Sequence, residues 1–181
     1  MKIPFYILIL ACIFSCKSTK IVSESNTESE SISKKTEIEF YENGLLKSIG
    51  QIDSYLLSKA ARIGLWSEFY ENGKLKETGE YKTDSYVNCC FSGPCDIIYS
   101  YKIGEWNYYY KNGQLRAKGI YKIGKKHIET SCKGGDEIKI GFLNENWKFY
   151  DKNGIEIKLT KKEIKVMEKN GIVDEFDFIG K

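Results

Sequence analysis

Short runs of alternating apolar and polar residues, each closed by Asn-Gly, recur through the middle of the chain. The two fullest copies are "GLWSEFYENGKLKETGEY" (Gly64 to Tyr81) and "GEWNYYYKNGQLRAKGIY" (Gly104 to Tyr121). Side chains alternate along a strand, so Trp106, Tyr108 and Tyr110 share one face and Asn107, Tyr109 and Lys111 the other. Asn-Gly tolerates positive φ at both central turn positions and closes a type I′ hairpin. Asn43-Gly44, Asn72-Gly73, Asn112-Gly113 and Asn153-Gly154 therefore predict four hairpins.

The registers match in detail. An aromatic pair precedes each turn: Phe40-Tyr41, Phe69-Tyr70, Tyr109-Tyr110 and Phe149-Tyr150. Trp66, Trp106 and Trp147 stand before three of them. Leu46, Leu75 and Leu115 follow at a fixed distance, then Gly50, Gly79 and Gly119, then Ile52, Tyr81 and Tyr121. The Gly suits a strand bend or a ring crossing the backbone. One hairpin cannot bury its Trp, so the copies must stack side by side. The fourth copy, "FYDKNG", reads as carrying one extra residue; it lacks the Leu, and Glu145 replaces the Gly before Trp. The first copy lacks the Trp, and terminal repeats are often atypical.

The last two gaps between Asn-Gly pairs are longer than the first, and each holds an insert. "TDSYVNCCFSGPCDIIYS" covers residues 83–100 and "HIETSCKGGDEIKI" residues 127–140. Matched inserts in a repeat array should emerge on the same edge. The period then changes. Thr160 and Glu163 stand at capping-box spacing ahead of Ile164 and Met167, and Asn170-Gly171 is a stop signal. A short helix from about Lys161 to Lys169 should pack over the last repeat and shield its edge.

The N-terminus follows different rules. Lys2 precedes the apolar run "IPFYILILACIFS", which is shorter than the ~20 residues a spanning helix needs. A positive start, a short apolar core and a small residue fit a secretory signal peptide over 1–15. The run ends "IFSC", which resembles a bacterial lipobox and implies cleavage before Cys16 with lipid on its sulfur. "ILAC", ending at Cys12, is also lipobox-like but would leave a shorter core and an exposed "IFS". Lipid on Cys16, including palmitate, would hold the mature chain on a membrane without spanning it. Lys17 to Thr36 is rich in Ser, Glu, Lys and Thr and has no aromatic residue, which predicts a disordered tether over 16–36. Such a tether reaches roughly 25 Å. The repeat domain then runs over 37–159, and the helix and tail over 160–181.

Composition sharpens this picture. The chain has 181 residues, enough for one domain and a leader. With 28 Lys+Arg against 25 Asp+Glu and no basic stripe, nucleic acid is not an expected partner. There are 13 Tyr and 16 Gly but 2 Pro, a balance that favours β-structure with tight turns. The fold class expected is all-β: an elongated, single-layered antiparallel sheet of repeated hairpins with a short C-terminal helix.

The shared pattern G-x-W-x-x-Y-Y-x-N-G-x-L-x-x-x-G-x-Y resembles the MORN-type repeat, in the variant found in YwqK-like antitoxin proteins. Gly64, Trp66, Phe69, Asn72, Gly73, Leu75, Gly79 and Tyr81 carry the match in one copy. Gly104, Trp106, Tyr109, Asn112, Gly113, Leu115, Gly119 and Tyr121 carry it in the next. The resemblance spans about 38 to 158. It implies a curved aromatic face that binds rather than catalyses.

Candidate chemistry is sparse. Beyond Cys12 and Cys16, the cysteines are Cys89, Cys90, Cys95 and Cys132, all in the inserts. An even number in an exported domain predicts disulfides, one within the first insert and one linking the two. A bond between adjacent Cys89 and Cys90 is sterically poor, which leaves Cys95 and Cys132 as their partners, in either order. Zinc, with His127 beside Cys132, is the rival reading, but paired CxxC spacing is missing. "GGDEI" at Gly134 to Ile138 is similar to the GGDEF stretch of diguanylate cyclases; without their α/β domain it reads as a Gly-rich loop with two solvated acids. Trp66, Trp106 and Trp147 are candidate binding aromatics that could stack on a ligand, although such stripes are more often core. His127 is the sole His, and no nucleophile elbow, HExxH or phosphate loop is present. No enzyme activity, metal or cofactor is expected. The resulting expectation is a non-catalytic lipoprotein of the cell envelope, most readily the outer membrane. It meets the membrane through its lipid and an unidentified protein through its sheet. The alternative is an immunity-type antitoxin that neutralises a cognate toxin.

Overall fold

The computed structural model describes residues 34–53, 61–170 and 172. The leader, Cys12, Cys16, the tether up to residue 33 and most of the tail lie outside the described residues. Among the described residues ten strands and one helix follow in chain order: β1 Lys34–Phe40, β2 Leu46–Asp53, β3 Ala61–Phe69, β4 Leu75–Cys90, β5 Gly93–Tyr109, β6 Leu115–Ile120, β7 Lys122–Ile128, β8 Asp136–Phe142, β9 Lys148–Tyr150, β10 Glu156–Ile157 and α1 Lys161–Asn170. The fold class is as expected: antiparallel β-structure with one short C-terminal helix and no closed barrel. One eight-stranded sheet runs β1-β2-β3-β4-β5-β6-β9-β10, and β7-β8 form a separate pair.

All four Asn-Gly turns close hairpins, with Gly44, Gly73, Gly113 and Gly154 at positive φ. Each turn repeats the same two backbone bonds, for example Tyr110 N to Gln114 O and Gly113 N to Tyr110 O, so the loop has three residues with Gly last and is not the two-residue type I′ turn expected. The recurrent Leu is explained by register. It sits opposite the first residue of the aromatic pair, as Phe40↔Leu46, Phe69↔Leu75 and Tyr109↔Leu115. A bulge falls just before each of these pairs.

Two boundaries move. β1 begins at Lys34, so the last three residues assigned to the tether are strand; Lys34, Lys35 and Thr36 pair with Asp53, Ile52 and Gln51. A polar composition did not prevent pairing because β2 offered an edge of matching length. The fourth copy has no extra residue either. Trp147 stands six positions before Asn153, as Trp106 does before Asn112. The aromatic pair has instead shifted by one, so that Asp151 takes the turn position of Tyr110 and donates to Ile155 O through its backbone.

The inserts are strands rather than loops. Residues 83–100 extend β4 and β5 into a long hairpin paired as far as Cys90↔Gly93. Residues 127–140 supply parts of β7 and β8, joined by a turn in which Gly134 and Gly135 have positive φ. Alternating Tyr86, Ile97 and Tyr99, or Ile138 and Ile140, permits pairing that turn-rich composition concealed.

The main core lies toward the C-terminal end of the sheet. It gathers Trp106, Tyr108, Ala117, Leu143, Trp147, Phe149, Met167 and Ile172. α1 begins with a reciprocal cap: Glu163 N donates to Thr160 Oγ1 at 3.3 Å and Thr160 N to Glu163 Oε2 at 2.7 Å. Its Met167, 2% exposed, closes over that core.

Candidate functional site: two faces of a repeat sheet

The Trp of each copy lies flat on the Gly of the copy before it. A Cβ built on Gly50 would enter the ring of Trp66, one on Gly79 that of Trp106, and one on Gly119 that of Trp147. Each indole N–H then donates to the carbonyl that follows that Gly: Trp66 to Gln51 O at 2.8 Å, Trp106 to Glu80 O at 3.2 Å, Trp147 to Ile120 O at 3.2 Å. Trp66 and Trp106 are 1% exposed and Trp147 6%. This corrects the reading of the three Trp as stacking platforms for a ligand. Their faces are already occupied by backbone, and they hold neighbouring copies together.

Two further ladders run in the opposite direction, from each copy forward to the next. Tyr41, Tyr70 and Tyr110 donate their hydroxyls to Phe69 O, Tyr109 O and Tyr150 O, at 2.6, 2.7 and 2.8 Å. Asn43, Asn72 and Asn112 donate through Nδ2 to Glu71 O, Lys111 O and Lys152 O. Each copy thus hands donors to the next. In the fourth, Asp151 replaces the Tyr and its carboxylate accepts from Asn153 N and Ile155 N, both at 2.9 Å. The ladder ends by turning back on its own hairpin.

A position that sequence reasoning missed covers the outer side of each Trp. Arg62 lies 4.2 Å from the Trp66 ring centroid, and Lys102 3.9 Å from that of Trp106. Leu143 takes the equivalent place before Trp147 and joins the core. All three stand four residues ahead of their Trp, a spacing visible in the chain once the copies are aligned on Trp. The cations are themselves paired, Arg62 with Glu68 at 2.6 Å and Lys102 with Glu77 at 3.0 Å. Lys102 also donates to Tyr108 OH at 2.9 Å, and Tyr108 shares a hydrogen bond with Tyr121. Burial pulls the Lys102 ammonium below its ordinary value, against the attraction of Glu77. Burial also pushes Tyr81 up to about 12 and raises Tyr108 and Tyr121. The Trp face is therefore filled: charged near β3, aromatic and apolar toward β9.

The opposite face carries the Phe–Leu and Tyr–Leu pairs, with Tyr150↔Glu156 ending the row. Alternation also places Leu65 and Ile120 there. Phe40 is 63% exposed and Leu65 68%, while Phe69, Leu75, Tyr109, Leu115 and Tyr150 are half-buried. This face presents an aromatic and aliphatic row at the turn ends, with Ser67, Thr78, Asn107 and Lys118 farther along the strands.

The inserts meet each other. Cys89 is bonded to Cys132 and Cys90 to Cys95, with Cα separations of 4.9 and 5.9 Å. Of the two pairings left open by the sequence, this is the one the structure holds. All four sulfurs are engaged, so the zinc alternative lacks its thiolates. Among the described residues no cluster of His, Cys, Asp and Glu could hold a metal ion. Asp136, read as a solvated loop acid, instead accepts from Val87 N at 2.8 Å and Glu137 N at 2.7 Å. Those backbone donors, Val87 first, hold its carboxyl below the usual range. Lys139 pairs with Asp84 at 3.1 Å and its backbone N–H donates to Tyr99 OH at 2.7 Å.

These features define a repeat protein built from stacked β-hairpins, with its Trp side closed and its opposite side open. A family model for the MORN repeat variant matches residues 62–83 and 102–122. Those stretches begin at Arg62 and Lys102, the cations over the Trp rings, and contain the second and third copies. No curated protein and no solved structure gives a significant match.

Proposed function

We propose that this is a non-catalytic lipoprotein of the cell envelope that holds a protein partner on the open face of its repeat sheet. The observation that carries the reading is the contrast between the faces. The Trp side is occupied by glycine backbone, cation caps and α1, whereas the row Phe40, Phe69, Tyr109 and Tyr150 with Leu46, Leu75 and Leu115 keeps part of its surface in water. Aromatics on a rigid sheet lose little entropy on binding and are favoured as interface anchors. The apolar leader and the Cys16 lipobox supply an outer-membrane address and a lipid anchor, and the tether gives the sheet reach.

In vivo crosslinking tests this. A photoactivatable phenylalanine analogue at Tyr109 should give a discrete crosslinked product in the membrane fraction. The same analogue at Phe91, the exposed hairpin tip, should not. Cys16→Ala should release the protein and its crosslink from membranes. Crosslinking from Phe91 with none from Tyr109 would move the binding surface to the inserts. If the captured protein is a toxin whose activity falls on binding, the immunity reading replaces the scaffold reading.

A further inference from the structure

The two ends of the eight-stranded sheet are unlike. At the C-terminal end β10 is two residues long, Asp151 has ended the Tyr ladder, and α1 packs on the adjoining core. At the other end stands β1, seven residues long; among the described residues it pairs only with β2. Its outer N–H and C=O groups form a row that can accept another strand. Ile38, 48% exposed, and the still more exposed Phe40 project from one face of that strand.

The β1 sequence, "KKTEIEF", has its cations in the first half and its anions in the second. An antiparallel copy aligned on Thr36 sets Lys35 of each chain opposite Glu37 of the other. Thr36 faces Thr36, and the Lys34 stem covers Ile38. No like charges are opposed. A parallel copy would oppose Lys to Lys and Glu to Glu. Cross-strand pairs of opposite charge stabilise a ladder, and like pairs destabilise it. The lysines that would repel many strands are thus neutralised by an antiparallel copy of this strand.

From this charge pattern and the edge that β1 leaves unpaired among the described residues we infer that two copies of the chain join through antiparallel β1–β1 pairing centred on Thr36. The contact is isologous, because the opposite edge of the sheet cannot continue the array. Residues of like parity face each other in this register, so the two Trp faces lie on one side and the two open faces on the other. Two eight-stranded sheets become one. Five paired residues per chain, Lys34 to Ile38, make a contact below standard interface size, so the dimer is of micromolar order.

The test uses the full chain in detergent, with oligomeric state read by sedimentation above that concentration. The parent should be a dimer. Lys35→Glu should weaken it about tenfold, since two attractive pairs become repulsive. The double variant Lys35→Glu/Glu37→Lys should restore it. Directly opposed residues lie about 4.5–5.5 Å apart between Cα atoms, within disulfide reach. Thr36→Cys should therefore form an intermolecular disulfide in air, and Glu39→Cys should not. A monomeric parent overturns the inference. So does a dimer indifferent to Lys35→Glu, or equal crosslinking by the two cysteine variants.

Discussion

The repeat body and the paired inserts are made of the same antiparallel hairpins, yet they are held in opposite ways. In the body, rings on glycines and hydroxyls on carbonyls bind each copy to the next, and Trp66, Trp106, Tyr108, Tyr110 and Ala117 are each at most 3% exposed. In residues 83–100 and 127–140 no side chain is fully buried. There the hairpins are joined by Cys89–Cys132, braced by Cys90–Cys95, and by polar bonds such as Ser131 Oγ to Cys89 O at 2.7 Å. A structure without a core relies on covalent links, because two-stranded hairpins alone are marginal in water. The comparison teaches that repetition here builds a core, while insertion needs staples.

The sharpest way to break this contrast is to remove a ring. Trp106→Ala should cost roughly 3–5 kcal/mol, because the cavity lies against rigid Gly79 backbone and removes a cation–π contact with Lys102. Chemical denaturation followed by circular dichroism checks it. A loss no larger than that of an ordinary surface change would mean the copies are not held by their Trp.

Removing a staple should act elsewhere. Closing the 43-residue separation between Cys89 and Cys132 is worth up to about 4 kcal/mol by chain entropy. The double variant Cys89→Ser/Cys132→Ser should lose hydrogen-exchange protection in 83–100 and 127–140. The Trp signal of the body should move less than for Trp106→Ala. Equal collapse of both regions would erase the distinction between core and staple. In the parent, alkylation without reductant should label none of the four insert cysteines.

Alkali should single out the body. Tyr81, Tyr108 and Tyr121 have hydroxyl pKa values raised by burial, so the folded state keeps protons that the unfolded chain gives up above its ordinary value near 10. Their contribution is complete below that pH and is lost as pH rises through the folded values. For Tyr81, raised to about 12, the loss is roughly 2–3 kcal/mol between pH 10 and 12. Tyrosinate absorbance should lag a free-tyrosine titration and then rise together with unfolding. Titration along the free-tyrosine curve with the fold intact would mean those hydroxyls are not held in the core.

Much of the body was legible because its signals are local. Asn-Gly between alternating residues marks a hairpin, and a recurrent Trp needs a neighbour to cover it. Four registers of matching residues therefore specified stacked hairpins, and Thr160 with Glu163 marked the start of α1. The sequence by itself also placed all four domain cysteines in the inserts. The tertiary structure decided what depends on a neighbour. It chose Cys132 for Cys89, because β8 runs beside β4 and brings Ser131 to Asn88. It set which Gly each expected-buried Trp covers, Gly50 under Trp66, Gly79 under Trp106 and Gly119 under Trp147. It drew Lys34–Thr36 into β1 through pairing with β2, and set Asp136 against Val87 on another hairpin. Such contacts join residues far apart in the chain, and local pattern carries no information about which distant strand a residue will face.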